Sequence, residues 1–167
     1  MGMGWKITVQ CKATSTIIYN MKPGIVRAIA ICVLRRGDDL FVFEGYDHSK
    51  AETFYRPLGG TVEFGEHSSQ TVQRELREEI GAEITHLRYL GALENIFTHE
   101  GMTGHEIVLI YEGDFADASF YEKSIVMGQE DDGGHFKAMW KPLADFAEGR
   151  FPLYPTGLLE LLKTSKS

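Results

Sequence analysis

The chain has 167 residues, 43% of them hydrophobic and 25% charged, with a formal net charge of −7. That length and composition suit one globular domain with its own hydrophobic core, and they exclude a disordered, collagen-like or coiled-coil protein. The acid excess argues against nucleic-acid polymers and anionic membranes as partners, since both attract a basic surface.

The N-terminal segment, residues 1–22, is weakly patterned. Ile7–Val9 and Ile17–Tyr19 have the composition of short strands. No continuous apolar stretch of signal-peptide type occurs there, and no run reaches the roughly 18 apolar residues of a membrane span. The expected location is cytoplasmic. Cys11 and Cys32 are the two cysteines; they are too few for a disulfide framework, fit no metal spacing and are expected to be small buried thiols. No repeat, low-complexity tract or Pro/Gly-rich linker divides the chain. A single domain is therefore expected over residues 23–167.

From residue 25 the pattern strengthens. Ile25 to Leu34 is apolar and β-branched and predicts a buried strand. Arg36-Gly37-Asp38-Asp39 predicts a turn, and Leu40 to Phe43 the returning strand of a hairpin. His48 to Glu52 reads as polar loop. A helix is expected from an N-cap at Ser68 or Ser69 to Ile80, with Gly81 at C′. Val72, Leu76 and Ile80 form its apolar stripe. Leu87–Glu94, Ile107–Tyr111 and Phe136–Trp140 read as later strands, and Gly157–Lys163 as a C-terminal helix. Strands around one strong internal helix predict an α/β fold with a mixed sheet covered by helices.

Between residues 60 and 83 lie six glutamates, Glu63, Glu66, Glu75, Glu78, Glu79 and Glu83, against Arg74 and Arg77. That segment carries more than half of the net charge. At about 100° per residue, Glu75, Glu78 and Glu79 share an arc of about 100° on one helix face. Like charges at this spacing repel, more so beside a core where the dielectric falls. Three arrangements relieve them: solvation, pairing with Arg74 and Arg77, or a shared divalent cation held by hard oxygen ligands.

The context narrows the choice. Gly60, five residues, Glu66, seven residues, then Arg74-Glu75-Leu76-Arg77-Glu78-Glu79-Ile80-Gly81-Ala82 resembles the Nudix box. The one departure is Ala82, where the family has a larger aliphatic; Ile84 is positioned to supply the missing apolar group. The resemblance implies a Nudix α/β/α sandwich in which the box forms a catalytic loop–helix–loop. It implies Mg²⁺- or Mn²⁺-dependent hydrolysis of a diphosphate bond in a nucleoside diphosphate derivative or nucleoside triphosphate, by water attack on phosphorus. By position, Glu75, Glu78 and Glu79 match the metal-binding and base-supplying acids, and the Gly60 or Gly59 carbonyl the backbone ligand. Arg74 matches the arginine that orients a glutamate, and Glu66 the acid that braces the motif or helps hold metal through water. Bound divalent ions would reverse the local charge and let an acidic protein take an anionic nucleotide.

Outside the box, Glu106 and Glu130 are candidates for a further acid, each set against a plainer reading as an exposed strand end or a solvated turn. Arg56 is a candidate phosphate contact, set against a structural ion pair. His99 and His105 read as exposed loop histidines without a catalytic part. Phe97, Tyr55 and Trp140 are set between base stacking and core, with core favoured. No Ser, Cys or His arrangement suggests a nucleophilic triad. Residues 96–100 lack the Pro or Tyr that marks ADP-sugar and dinucleoside-polyphosphate subfamilies. Two rivals stand beside hydrolysis: a non-catalytic nucleotide-binding or regulatory module on the same fold, and an isoprenoid-diphosphate isomerase, which the absence of a cysteine near the box disfavours. The family resemblance also carries a homodimer as the oligomeric expectation.

Overall fold

The computed structural model describes residues 24–129 and 133–165. The candidate strands at 7–9 and 17–19, Cys11 and Glu130 lie outside them. Eight strands form a mixed sheet: β1 (Val26–Arg36), β2 (Asp39–Asp47), β3 (Glu52–Arg56), β4 (Gly59–Thr61), β5 (Ile84–His99), β6 (Met102–Phe115), β7 (Ile125–Gln129) and β8 (His135–Pro142). The order is β5-β6-β1-β2-β8-β7, with β3 on β2 and β4 on β1. β1 and β6 run parallel; the other pairs are antiparallel. The helices are α1 (Ser68–Ile80), α2 (Leu143–Ala147) and α3 (Leu158–Thr164), with a 3-10 turn at Ala118–Tyr121. None of the described helices is long and apolar enough to cross a membrane.

The apolar run in β1 has a simple cause. Its residues alternate between two cores, so both faces of the strand are covered. Ala30, Cys32 and Leu34 join Val72 and Leu76 of α1 in one core. Ile29, Ile31 and Val33 join Phe146 of α2 and Leu158 and Leu162 of α3 in the other. β2 does the same, with Phe41 and Phe43 in the first core and Leu40 and Val42 in the second. This is the expected α/β/α sandwich. Cys32 is fully buried in it, and burial pushes its thiol well above the ordinary cysteine range.

Several expectations shift. The α1 N-cap is His67. Its N–H donates to Gln70 Oε1 (3.0 Å), and the Gln70 N–H donates to the His67 carbonyl (2.8 Å). The Ser68 hydroxyl is used elsewhere, 2.7 Å from the Tyr111 hydroxyl on β6. Gly81 closes the helix in the left-handed region, φ 68°, with the Ala82 N–H reaching back to Leu76. Ala82 and Ile84 are both buried in the α1-side core, so Ile84 does fill the space beside the small residue. Ile80 is only partly buried. β3 begins at Glu52, inside the expected loop, and β5 extends well beyond Leu87–Glu94 at both ends.

Candidate active site

The glycine loop is fixed by close packing. At Gly60, an added Cβ would lie 2.2 Å from Glu75 Oε1, so the Glu75 carboxylate occupies the room a side chain would need. At Gly59, φ is +137° and a Cβ would meet the Ala30 carbonyl oxygen at 2.1 Å. Only glycine allows β4 to lie this close to both β1 and α1.

The helix carries its acids on the face that packs. Thr71, Val72, Glu75, Leu76 and Glu79 are its buried residues. Arg74 gathers the acids around it. Its Nε and Nη2 donate to the two Glu66 oxygens (3.0 and 3.1 Å), and its Nη1 donates to Glu75 Oε1 (2.9 Å) and Glu78 Oε2 (3.1 Å). Nη2 also donates to the Thr61 carbonyl of β4 (3.2 Å). Those bonds, with one from the Thr71 hydroxyl, hold the Glu66 carboxyl down to about 2. Arg77 does not join this group; it pairs with the exposed Glu83 at 2.6 Å. Glu78 is half exposed. Loop, helix and β4 thus place Glu66, Arg74, Glu75, Glu78 and Gly60 in one patch, with Glu79 one turn beyond Glu75.

A cleft of about 450 Å³ open to solvent is lined by Phe54, Arg56, Asn95, Phe97, Glu106 and Tyr154, among others. Glu106 is not an exposed strand end. It sits inside β6, 1% exposed, paired with Arg27 of the neighbouring strand. Arg56 is 6% exposed. Its guanidinium makes no ion pair or hydrogen bond among the described residues, so the structural ion pair set against it is not found. Tyr55 and Trp140 are core residues: Tyr55 donates to Glu44 Oε2 (2.8 Å) and packs on Phe146 and Phe151, while Trp140 stacks on Tyr121. Phe97 is partly buried and faces the cleft.

The histidine expectation is corrected as well. His99 ends β5 and is buried, with Nδ1 3.4 Å from Asp47 Oδ2. Burial lowers its proton affinity, against the pull of Asp47 and Glu100. His105 lies on β6 with its Nε2 2.9 Å from Glu94. His105 stays partly exposed; sequence reasoning had no signal for the burial of His99, because its covering residues come from distant strands.

A helix bearing clustered acids, entered through a glycine loop and laid on a mixed sheet between two cores, defines a Nudix-type α/β/α fold. The NUDIX domain family model matches residues 24–160, and the chain belongs to that family. It is similar to the NAD-capped RNA hydrolase NudC of Haemophilus influenzae, 36% identical over 100 residues, covering 59% of this chain and 36% of that protein. The NudC of Mannheimia succiniciproducens is 29% identical over 122 residues, 68% of this chain and 45% of that one. The chain therefore spans less than half the length of these curated relatives. Among solved structures, a NUDIX hydrolase from Nitrosomonas europaea superposes with a TM-score of 0.59 at 14% identity, over 83% of this chain and 87% of that one. A MutT NUDIX hydrolase from Burkholderia pseudomallei gives 0.53 at 16% identity, over 72% and 85%. These two show the shared fold.

Proposed function

We propose that the chain hydrolyses a diphosphate bond in a nucleoside diphosphate derivative or nucleoside triphosphate, with a divalent metal as cofactor. The observation that carries this reading is the acid patch itself: carboxylates packed onto a side-chain-free backbone at Gly60 and oriented by one arginine. Solvated surface acids have no need of either device.

The donor set is all hard oxygen, which suits Mg²⁺ or Mn²⁺. Glu75, Glu78 and Glu79 would hold the ion. The backbone ligand is better placed at Gly59 than at Gly60. In the β1–β4 ladder, the Cys32 N–H donates to the Leu58 carbonyl and the Val62 N–H to that of Ala28. By alternation Gly60 also faces β1, paired with Ala30. Gly59 and Thr61 then turn their carbonyls to the other edge, where Thr61 meets Arg74. When bound, the ion supplies positive charge to the diphosphate and acidifies a water.

The chain's own groups do the rest. Arg74 holds Glu66, Glu75 and Glu78 in register, so the acids are set before substrate arrives. Glu78 is half exposed and accessible to water, which suits it to take a proton as general base. Arg56, in the cleft wall and without an ion pair among the described residues, takes a phosphate oxygen. Phe54, Phe97 and Tyr154 offer apolar surface to the remaining moiety.

The test is a panel of dNTPs, ADP-ribose, NADH, dinucleoside polyphosphates, CoA and, following the relatives' names, NAD-capped RNA, each with and without Mg²⁺. Metal-dependent phosphate release after phosphatase treatment, lost in Glu79→Gln with the fold intact, supports hydrolysis. Binding without release on any member favours a nucleotide-binding module and overturns the proposal.

A further inference from the structure

Two turns meet at the cleft. One joins β2 to β3 and begins at Asp47; the other joins β5 to β6 through His99 and Glu100. Asp47, His99 and Glu100 each offer a ligand atom, and these atoms all lie within 4.8 Å of one another. No other such group of three occurs among the described residues. Asp47 and His99 are buried, and Glu100 is partly so.

We infer that Asp47, His99 and Glu100 form a second cation site, of zinc type, separate from the acid helix. Three observations support it. First, the donors are one imidazole and two carboxylates from two different turns. That mixed nitrogen–oxygen set suits Zn²⁺ or Co²⁺ rather than Mg²⁺, and three protein ligands leave a fourth position open. Second, Asp47 is braced as a metal-binding carboxylate is. Its Oδ1 accepts from the Ser49 hydroxyl (2.6 Å) and the Lys50 N–H (3.1 Å). Its Oδ2 is buried in the cluster, faced by His99 Nδ1 at 3.4 Å and Lys50 Nζ at 3.3 Å, with neither closing a hydrogen bond of good geometry on it. Third, the cluster already attracts a cation. Lys50 Nζ lies 3.3 Å from Asp47 Oδ2 and donates to the Thr98 carbonyl, with 38% of the Lys50 side chain exposed. A flexible ammonium at this place marks the demand for positive charge and is free to swing out.

The two turns are laced in the same place by His48, whose N–H donates to Glu100 Oε1 at 2.6 Å. An ion here would fasten the two turns across the rim of the cleft, because Asp47, Lys50 and His99 also line it. Closing a zinc-type tetrahedron requires the most separated ligand atoms to draw together by about 1.5 Å, within the reach of side chains on turns.

The experiment titrates the metal-free 167-residue chain with Co²⁺ in saturating Mg²⁺, which keeps the hard-oxygen acids of α1 occupied. Visible absorption reports the coordination. One equivalent of Co²⁺ with strong tetrahedral bands, bleached by Zn²⁺, is expected. Glu100→Gln should weaken uptake at least tenfold. Lys50→Ala should tighten it, because the competing ammonium is gone. His99→Ala, checked for folding by circular dichroism, should abolish the bands. Absence of tetrahedral bands in both the wild type and Lys50→Ala overturns the inference and assigns Lys50 as the permanent counter-ion. Bands that survive Glu100→Gln and His99→Ala unchanged overturn it too. None of these readouts depends on turnover, so the inference stands or falls apart from the proposed hydrolysis.

Discussion

Replacing Gly60 by alanine probes the packing of the acid patch directly. The new Cβ would lie 2.2 Å from Glu75 Oε1, 2.3 Å from Cδ and 2.7 Å from Oε2, where ordinary contact begins near 3.4 Å. The carboxylate therefore has to retreat by about 1 Å. Because the obstacle is the end of a flexible side chain, the fold survives. A strained rotamer costs about 1 kcal/mol, and loss of the Arg74–Glu75 bond adds about 1–2 kcal/mol. The total of about 2–3 kcal/mol is measurable by urea denaturation and leaves the protein folded. Catalysis should suffer more, since displacement of a positioned group by ~1 Å costs roughly 100-fold in rate. The matched control is Gly37→Ala in the β1–β2 turn. There φ is +60° with open space around it, so backbone strain of about 1–2 kcal/mol is expected without a change in turnover. Steady-state rates on the best substrate of the panel, with urea midpoints for both variants, decide the matter. A Gly60→Ala enzyme with wild-type turnover would refute the claim that the Glu75 carboxylate must rest against bare backbone.

Three further outcomes follow from the same geometry. Glu66 titrates at about 2 in the folded chain against an ordinary 4.5; its contribution is complete above pH 4.5 and lost as pH falls toward 2. After discounting for solvent screening it amounts to about 2 kcal/mol, and Arg74→Met should flatten this part of the stability–pH curve; an unchanged slope would count against the Arg74–Glu66 pairing as its source. Leu76→Ala removes a fully buried side chain from the α1-side core, so a loss of about 2–5 kcal/mol in urea unfolding is expected. Arg56→Met should raise KM by roughly 10- to 100-fold, the worth of a charge-assisted contact. It should not destabilise the apo protein, because the guanidinium has no ion pair to lose among the described residues; a lower melting temperature with normal KM would reverse that assignment.

The parts of the fold that the sequence announced are those with local causes. β1, its hairpin with β2, and α1 follow from an apolar run, a Gly-Asp-Asp turn and a 3.6-residue stripe closed by Gly81. β4 has three residues, two of them glycine, and gives no periodic signal; its strand character comes wholly from pairing with β1. The alternation of β5 is broken by register shifts between Thr85 and Arg88 and between Tyr89 and Gly91, so only its middle was readable. The acid helix and its arginine were legible because they lie within one motif. Glu106 was misjudged because its partner, Arg27, is 79 residues away. His99 was misjudged because its cover comes from Phe54 and Asp47 on other strands. Burial of a polar residue is a tertiary property, and a single sequence records it only where both partners share a motif.

The two-sided packing of β1 has one more consequence. The same alternation that sends Ile31 to one core and Cys32 to the other also sets which carbonyls of β4 face outward. Core register and carbonyl direction are therefore one variable. A single-residue deletion within Ile29–Leu34 would exchange the two core faces of the strand beyond it and at the same stroke shift its pairing with Gly59 and Gly60 by one residue. Partial function is thus not available along that path: sequence drift in this strand can change side-chain size but not spacing. Insertions should be tolerated only where the ladder stops, as in the exposed turn at Gly37.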